Sequence, residues 1–476
     1  MRRTKIVCTL GPATQTPERI RGLLKAGMNV ARLNFSYINS PQEREQAAWL
    51  ISEVRRAATE LGRPVAILQD LSGPKIRTGT VQNGAVRLRT GAELTLTTQE
   101  VEGTAERVST TYPNLPHDVQ PGDAILLDDG LIQLQVLAVT ATEVRCRVLN
   151  DGLLGSHKGI NLPGVAISAP SVTEKDKEDL KFGLEHDVDY VAISFVRRPE
   201  DVQEVKELIA AVGKEVSVIA KLEKPEAIDS LEEILALAEG VMVARGDLGV
   251  EMPLEKVPAL QKRIIHRAND WGVLVITATQ MLESMRENPR PTRAEASDVA
   301  NAVFDGTDAL MLSAETATGR YPLETVRTMH NIIVEAEETL RHTAAVRRLP
   351  LPSETPFPSA ISNAACETAL ELGAKAIIAF TKSGFTARLT SKYHPLTPIF
   401  AFTSEERVLR RMSLYWGVTP RLMEPVGSID EMIVEVERRL LADGTVQPGD
   451  VLVILAGAPM NVTGTTNLMK LHRVGG

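Results

Sequence analysis

The sequence is poor in several features, and each shortage excludes a class of protein. Its 476 residues include three cysteines, which lie far apart within apolar runs. This spacing argues against a disulfide framework or a Cys-x-x-Cys site, and predicts buried thiols in a reducing compartment. No apolar run approaches the roughly 18 residues of a membrane span, and the N-terminus lacks a signal-peptide pattern. We therefore expect a cytoplasmic protein without a membrane partner.

Basic residues are outnumbered by acidic ones. Lys and Arg number 53 against 61 Asp and Glu, which gives a net charge of −8 and a pI near 5.7. Such a balance argues against general nucleic-acid binding, which requires a basic surface. The GxxxxGK[ST] and HExxH patterns are absent, so P-loop and zincin mechanisms lack their usual signatures. With 43% apolar and 24% charged residues, the chain has the composition of a globular protein of two or three domains.

Eight short apolar runs, most of them followed by a helix-period segment, occupy two stretches of the chain. They are residues 5–10, 30–36, 65–70, 188–195, 216–223, 241–247, 273–280 and 309–313. Near-continuous apolar strands that alternate with helices predict a parallel sheet buried on both faces. Eight is the number that closes a (β/α)8 TIM barrel, and an open doubly wound sheet is the alternative. Helix starts with capping-box form follow Ser171 and Thr292.

The remaining segments predict two further domains. Residues 75–164 show strand-like alternation and predict a small inserted β-barrel, a lid domain at the active-site face of a barrel formed by 1–74 and 165–345. The proline-rich stretch 346–358 reads as a linker. Residues 359–476 alternate buried strands with helices and predict a C-terminal open α/β domain.

Polar residues gather at the carboxyl ends of the predicted barrel strands, where barrel enzymes carry their active sites. Lys221 and Glu223 stand two apart and therefore project from the same face of their strand. Any one such residue could cap a helix or form a structural ion pair, but the set is harder to explain in that way. The set includes Arg32, Asn34, Ser36, Asp70, Ser194, Lys221, Glu223, Arg245, Asp247 and Thr279.

Glu223 and Asp247 follow neighbouring strands and offer hard oxygen ligands. Mg²⁺ (or Mn²⁺) characteristically takes one or two carboxylates and fills its other positions with water and substrate phosphate. Lys221 and Arg32 would supply positive charge to an anionic substrate. This combination of metal-binding carboxylates and cationic side chains suits phosphoryl transfer, in which positioning and charge neutralisation provide most of the catalysis.

Ten longer motifs in this chain resemble the pyruvate kinase family, in order and over nearly the whole length. They are TKIVCTLGPAT, MNVARLNFS, SGPKIRTG, GINLPG, YVAISFVR, AKLEKPEA, VMVARGDLGVE, TATQMLESM, PTRAEASDVANAVFDGTDALMLSAETATGRYP and TKSGFTAR. The resemblance implies a homotetramer that transfers phosphoryl from phosphoenolpyruvate to ADP in the last step of glycolysis, giving pyruvate and ATP.

The resemblance also implies roles for individual residues. Lys221 matches the lysine that stabilises the transferring phosphoryl and the enolate oxygen, and Arg32 matches a phosphate-contacting arginine. Glu223 and Asp247 match the divalent-ion ligands, while the backbone of Gly246 and Asp247 faces the substrate carboxylate.

Proton transfer and nucleotide binding involve further matching positions. Thr279 matches the hydroxyl near the enolate; because a threonine is too weak an acid, a water relay is the expected route. Nucleotide contacts are implied for Arg32 and Asn34, and for Arg77 and Lys158 at the hinges of the insert.

The segment DLSGPKIR (70–77) departs from the family pattern. In potassium-requiring members the K⁺ ligands match Asn34, Ser36, Asp70 and a threonine that is Leu71 here. A nearby glutamate is replaced by Lys75, whose ammonium could stand where K⁺ otherwise binds. We therefore expect that K⁺ is not required.

The motif TKSGFTAR places hydroxyl groups at a strand-to-helix turn, which is a ready phosphate site. Thr381, Ser383, Gly384 and Thr386 are the expected effector contacts, with residues 457–467 as a covering loop. Fructose 1,6-bisphosphate, a sugar monophosphate and AMP remain open as the effector.

Two other functions remain as alternatives. A Mg²⁺-dependent barrel lyase or mutase would need no ADP site. A catalytically silent sugar-phosphate regulator would have lost Lys221, Glu223 or Asp247, yet the sequence keeps all three.

Overall fold

A computed structural model describes residues 2–341, 349, 356–458 and 464–476. The chain opens with three strands and two helices that are the first part of a barrel. They are β1 (Lys5–Thr9), α1 (Pro17–Ala26), β2 (Val30–Asn34), α2 (Pro41–Glu60) and β3 (Ala66–Asp70), with a 3₁₀ turn at Phe35–Tyr37. Both helices have proline in their first turn and a hydroxyl cap, from Thr16 and Ser40.

The insert that follows is built almost entirely of strands. They are β4 (Ala85–Leu88), β5 (Glu93–Thr97), β6 (Arg107–Ser109), the short helix α3 (Leu115–Asp118), β7 (Ala124–Leu127), β8 (Ile132–Val139), β9 (Glu143–Val148), β10 (Gly152–Gly155) and β11 (Ile160–Asn161), with a 3₁₀ turn at Gln82–Gly84. They pair as a six-stranded sheet, β11-β7-β8-β9-β5-β6, and a two-stranded sheet, β10-β4. The pairing therefore differs from the single small β-barrel that the alternation predicts.

The second barrel stretch alternates strands and helices. Its elements are α4 (Glu174–Glu185), β12 (Tyr190–Ile193), α5 (Pro199–Ala211), β13 (Ser217–Leu222), α6 (Pro225–Asp229), α7 (Leu231–Leu237), β14 (Gly240–Ala244), α8 (Arg245–Glu251), α9 (Val257–Asp270), β15 (Leu274–Ala278), α10 (Arg293–Asp305), β16 (Ala309–Leu312), α11 (Ala314–Ala317) and α12 (Pro322–Arg341), with 3₁₀ turns at Leu254–Lys256 and Glu283–Arg286.

Eight parallel strands close into a barrel in the order β1-β16-β15-β14-β13-β12-β3-β2. The predicted TIM barrel is confirmed. The strands are buried on both faces, which explains their continuous apolar runs. Side chains inside the barrel, such as Leu68, Tyr190 and Met242, belong to one core with Tyr393 and Met412 of the C-terminal domain. The foot of the barrel is thus sealed by that domain.

One of the two predicted capping boxes is confirmed. Thr292 accepts from the backbone N–H of Glu295, whose side chain accepts from the backbone N–H of Thr292. The box predicted at Ser171 is wrong, because α4 starts two residues later, with Thr173 and Asp176 as the reciprocal pair.

The C-terminal domain is an open α/β sheet, as predicted. Its elements are α13 (Pro356–Glu371), β17 (Ala376–Phe380), α14 (Phe385–Lys392), β18 (Ile399–Thr403), α15 (Glu406–Arg411), a 3₁₀ turn (Met412–Leu414), β19 (Val418–Leu422), α16 (Ile429–Ala442), β20 (Val451–Gly457) and β21 (Thr466–Arg473). The strand order is β19-β18-β17-β20-β21, with the last strand antiparallel.

Parts of two expected segments fall outside the described residues. Of the predicted linker, 346–348 and 350–355 are not described, whereas 356–358 belong to α13. Residues 459–463 of the expected effector loop are also not described. Among the described helices, none is both long and apolar enough to cross a membrane.

Candidate active site

Lys221, near the end of β13, has a buried ammonium group surrounded by oxygen atoms. Its Nζ lies 2.6 Å from Glu223 Oε1, 2.6 Å from Ser194 Oγ and 3.5 Å from Asp70 Oδ1. Burial favours the neutral amine, but the carboxylates of Asp70, Glu223 and Asp247 outweigh it, and the pKa of Lys221 is raised. These carboxylates thus favour the charged form of the side chain at the mouth of the barrel.

Arg32 shares the Asp70 carboxylate with this lysine. Its Nε and NH2 atoms lie 2.7 and 2.6 Å from Asp70 Oδ2, and NH1 donates to Thr9 Oγ1 at 2.8 Å. Burial raises the pKa of Asp70, but the charges of Lys221 and Arg32 lower it further than burial raises it. The strand register supports this arrangement. Asp70 stands opposite Asn34 on the neighbouring strand, and Arg32, two residues before Asn34, projects from the same face of that strand.

Glu223 and Asp247 are the two acids that could hold a divalent cation. Glu223 is buried, and its Oε2 accepts from the backbone N–H of Phe195 at 3.0 Å. Asp247 is exposed in the first turn of α8. Burial, and then the charge of Asp247, raises the pKa of Glu223 despite the opposing effect of Lys221.

The donor chemistry of this pair fits a magnesium ion. Within the described residues, no three or more His, Cys, Asp or Glu side chains form a group that could hold a metal by themselves. Mg²⁺ needs no such group, since it binds one or two carboxylates together with water and phosphate oxygens. A divalent cation would offset the effect of the Asp247 charge on Glu223.

Thr279 occupies a strained turn immediately after β15. Its φ is 68° and that of Gln280 is 53°, a left-handed region that β-branched residues rarely adopt. The Thr279 hydroxyl accepts from the backbone N–H of Gly246 at 2.7 Å and donates to the Ala278 carbonyl at 2.7 Å. The hydroxyl is thereby joined to the first turn of α8.

Arg245 holds this turn in place. Its NH2 donates to the Thr279 carbonyl at 2.7 Å and its Nε to the Ala278 carbonyl at 3.2 Å. Its NH1 lies 2.7 Å from Asp298 of α10. The guanidinium thus ties three elements together beneath the Thr279 hydroxyl.

The residues expected at a monovalent-cation site lie at, or just after, the carboxyl ends of the neighbouring strands β2 and β3. Asn34 Oδ1 accepts from the Ser36 backbone N–H at 3.1 Å, and Leu71 is buried in the barrel core. Lys75 makes no side-chain ion pair with any residue that the structure describes. Burial and the charge of Lys221 lower the pKa of Lys75, although Asp247, Glu223 and Asp70 oppose them. The charges of the carboxylates near Lys221 thus also act on the Lys75 ammonium.

Arg77 and Lys158 lie together at the hinges of the insert. The residues Arg77 and Gly159 form an antiparallel bridge, and Arg77 NH1 donates to the His157 carbonyl at 3.0 Å. Lys158 pairs with Asp128 at 2.9 Å.

The expected effector turn lines a cavity of about 150 Å³ in the C-terminal domain. Thr381 Oγ1 accepts from the backbone N–H of Gly384, which has a φ of 89° and caps α14. Thr386 and Thr466 hydroxyls lie 2.7 Å apart, joining α14 to β21.

Several contacts were not anticipated from the sequence. Asp70 was assigned only to a monovalent-cation site, yet it bridges Arg32 and Lys221. Ser194 and Arg245 were visible as strand-end polar residues, but nothing local indicated which groups they contact. The contact from the Phe195 backbone to Glu223 has no side-chain signal at all.

A barrel whose strand ends gather a buried lysine, a buried arginine and three carboxylates belongs to the enzymes that act on anionic substrates. Comparisons with known proteins narrow this class. Residues 1–326 match the family model of the pyruvate kinase barrel domain, and residues 359–472 match that of the pyruvate kinase alpha/beta domain.

Proteins that are similar to this chain over its whole length are also named pyruvate kinase. The chain is 50% identical to the pyruvate kinase of Staphylococcus aureus (strain MRSA252) over 477 residues, covering 100% of this chain and 81% of the relative. It is 49% identical to that of Geobacillus stearothermophilus, covering 99% and 80%. A crystal structure of a pyruvate kinase from Cryptosporidium parvum superposes with a TM-score of 0.90 at 36% identity, covering 99% of this chain and 96% of that one.

The chain therefore belongs to the pyruvate kinase family. It is a phosphotransferase with pyruvate kinase activity.

Proposed function

We propose that the cleft at the carboxyl end of the barrel transfers the phosphoryl group of phosphoenolpyruvate to ADP, giving pyruvate and ATP, and that the residues described above perform this transfer. The observation that carries the assignment is the buried ammonium of Lys221, which lies within 3.5 Å of Asp70, Glu223 and Ser194. An ammonium group in a buried site is suited to stabilise negative charge that develops during the reaction.

The bond changes are a single displacement at phosphorus. The bond from phosphorus to the enol oxygen breaks while a terminal phosphate oxygen of ADP forms a new one. Lys221 lies where it can neutralise the transferring phosphoryl and the enolate oxygen, and Arg32, aligned by Asp70, contacts the phosphoryl oxygens. Little covalent chemistry is needed from the protein, because positioning and charge provide most of the catalysis.

Glu223 and Asp247 would hold the divalent cation, which supplies charge neutralisation for the phosphoryl oxygens when bound. The backbone of Gly246 and Asp247, in the first turn of α8, is assigned to face the substrate carboxylate. The Gly246 N–H donates to Thr279 Oγ1 and fixes this turn, so the donor to the carboxylate would be the N–H of Asp247.

The enolate becomes pyruvate when its terminal carbon takes up one proton. The Thr279 hydroxyl stands beside the substrate site, held by Gly246 and by its own strand end. Threonine is too weakly acidic to be the source of the proton by itself. A water molecule ordered by the Thr279 hydroxyl is therefore assigned as the donor.

The insert is assigned as a lid over the nucleotide. Arg77 and Lys158, at its two hinges, would contact the ADP phosphates together with Arg32 and Asn34. Such closure keeps water from the phosphoryl group during transfer.

The assignment is tested by replacing Lys221 with methionine. A coupled assay that follows ATP and pyruvate separately should show both products falling by roughly 10³-fold or more, since a charge-stabilising donor is lost. Lys177→Met is the matched control, because Lys177 lies on the outer helix α4 and pairs with Glu174 at an exposed position. Because the substitution removes the lysine that pairs with two buried carboxylates, Asp70 and Glu223, thermal unfolding of both variants is measured alongside. Full turnover in Lys221→Met would refute the assignment.

The metal assignment has a separate test. In crystals soaked with Mn²⁺ and oxalate, the anomalous signal of manganese should lie between Glu223 and Asp247. A manganese peak distant from both acids would overturn their role.

Lys75 is assigned as the replacement for K⁺. The assignment is supported by the neighbouring carboxylates of Asp70, Glu223 and Asp247, whose charges act on the Lys75 ammonium. The position that is threonine in potassium-requiring members is the buried Leu71, which offers no side-chain oxygen.

The effector turn from Thr381 to Thr386 is assigned to a phosphorylated activator. Fructose 1,6-bisphosphate, glucose 6-phosphate, ribose 5-phosphate and AMP are compared as activators, with wild type and Ser383→Asp. The added carboxylate should repel phosphate, so the ratio of activated to unactivated rate should fall to about one. Equal activation of both proteins would refute this site.

The proposal also includes a cytoplasmic homotetramer, for which sedimentation equilibrium tests the subunit number.

A further inference from the structure

A buried ion pair beside the proposed metal ligands also contacts the insert. Lys224 directly follows Glu223, and its Nζ lies 2.6 Å from Glu251 Oε1. The two side chains are 6% and 2% exposed. The amide Nδ2 of Asn161, in β11 of the insert, donates to the same Glu251 oxygen at 3.0 Å. One carboxylate oxygen therefore joins the barrel to the insert.

The two barrel segments that meet at Glu251 are those that carry the proposed metal ligands. Glu251 ends α8, and Asp247 stands four residues earlier, one helical turn away. Lys224 adjoins Glu223 in the chain, and its Nζ lies 5.8 Å above the ring of Phe195, whose backbone N–H binds Glu223. A displacement of Glu251 would thus be transmitted to both acids.

On the insert side, the contact between Asn161 and Glu251 lies close to Lys158, which is proposed to bind the nucleotide. Strand β11 pairs with β7, and the backbone N–H of Asp128, just after β7, donates to the Gly159 carbonyl at 3.0 Å. Asp128 in turn pairs with Lys158 at 2.9 Å. The turn continues to Gly130, where an added Cβ would lie 3.9 Å from Val250 on α8. The insert therefore approaches α8 at two consecutive residues, Val250 and Glu251.

We propose that Glu251 is a positioning residue that couples the placement of the insert to the segments holding Glu223 and Asp247. Its contact with Asn161 fixes the position of the insert over the cleft. Its contact with Lys224 links that position to the positions of the two metal-binding acids. The inference rests on the proposed role of the insert as a nucleotide lid. A purely structural alternative is that Lys224 and Glu251 only fasten α8 to the barrel, with Asn161 as an incidental contact.

Asn161→Ala separates the two readings, because it leaves the buried Lys224–Glu251 pair intact. A hydrogen bond to a charged group is lost, so we expect the KM for ADP to rise roughly tenfold. The KM for phosphoenolpyruvate and the kcat at saturating ADP should change less than about twofold. Pyruvate should also form in excess of ATP, because an insert that closes less firmly admits water to the phosphoryl group.

Further substitutions at the same position test the charge dependence. Asn161→Gln keeps a donor and should restore part of the ADP affinity, whereas Asn161→Asp faces Glu251 with a like charge and should weaken it more than alanine does. The matched control is Asn150→Ala, because Asn150 donates within the insert to the Leu131 carbonyl. A merely structural role would lower stability in all three Asn161 variants without ordering them by charge.

Hydrogen exchange of the protein without metal or nucleotide provides a readout independent of turnover. In Asn161→Ala, amides of β11 and of the last turn of α8 should exchange faster than in wild type, while those of β13 should not. Unchanged exchange and an unchanged KM for ADP in Asn161→Ala would overturn the inference. If Lys158→Ala nevertheless raises the KM for ADP, the nucleotide lid stands and the Glu251 link alone is refuted. If Lys158→Ala and Arg77→Ala also leave it unchanged, both proposals fall.

Discussion

Lys392, the last residue of α14, forms an ion pair with Asp308 at the foot of the barrel, and both side chains are buried, at 0% and 1% exposure. The lysine also donates to Asn269 Oδ1 at 3.1 Å, and Asp308 Oδ2 accepts from the backbone N–H of Val275 at 2.7 Å. The helix that begins at the proposed effector turn therefore ends against β15 and β16.

Removing one partner of this pair should be costly. Lys392→Met leaves the Asp308 charge buried without its cation, so the free energy of unfolding should fall by about 3–5 kcal/mol. Lys470→Met is the control, because the exposed Lys470–Asp430 pair should contribute about 1 kcal/mol or less. Urea unfolding of both variants provides the measurement, and similar losses would contradict a special role for the buried pair.

Stability should depend on pH through Lys5, which lies between the barrel and the C-terminal domain. Its Nζ donates to the Val418 carbonyl at 2.8 Å. Burial, and then the charge of Arg2, lowers the pKa of Lys5 to about 7 from an ordinary 10.5, although Glu337 opposes this. Between these pH values the unfolded chain binds more protons, so stability rises with pH. The Tm of wild type, relative to that of Lys5→Met, should therefore increase from pH 7 to 9. A difference in Tm that does not change with pH would contradict the lowered pKa of Lys5.

Arg245 should affect turnover more than substrate binding. Arg245→Met frees the strained Thr279 turn, and a misplaced hydroxyl should lower kcat by roughly 10²-fold. The KM for ADP should stay within about twofold, because the insert is untouched. Arg245→Lys should recover little, since one ammonium cannot reproduce the fork of contacts to Ala278, Thr279 and Asp298. Arg267→Met, on the outer helix α9, is the control; equal kcat losses would argue against positioning.

Activity should not require potassium if Lys75 replaces that ion. Wild type should turn over in potassium-free buffer at a rate within about twofold of that in KCl. Lys75→Glu restores the negative charge of potassium-requiring members and should make activity dependent on KCl, more so when combined with Leu71→Thr. A near-zero rate of wild type that KCl restores would refute the replacement.

Much of the fold could be predicted because its signals are local. The eight apolar runs predicted the barrel strands, although the runs at 241–247 and 273–280 extend past strand ends at Ala244 and Ala278. There the chain continues into α8 or into the left-handed turn at Thr279. Because polar residues are common both at strand ends and in turns, the sequence pattern does not show where the strand stops.

The sequence by itself determined the barrel, the inserted β domain, the C-terminal domain and the set of strand-end residues, because hydrophobic period and turn residues act over a few positions. Tertiary structure alone decided which of these residues meet. Asp70 lies between Arg32 and Lys221, Glu251 between Lys224 and Asn161, and Lys392 against Asp308, 84 positions away. Each contact depends on strand register or domain packing, which place distant charges within a few ångströms of each other and out of water.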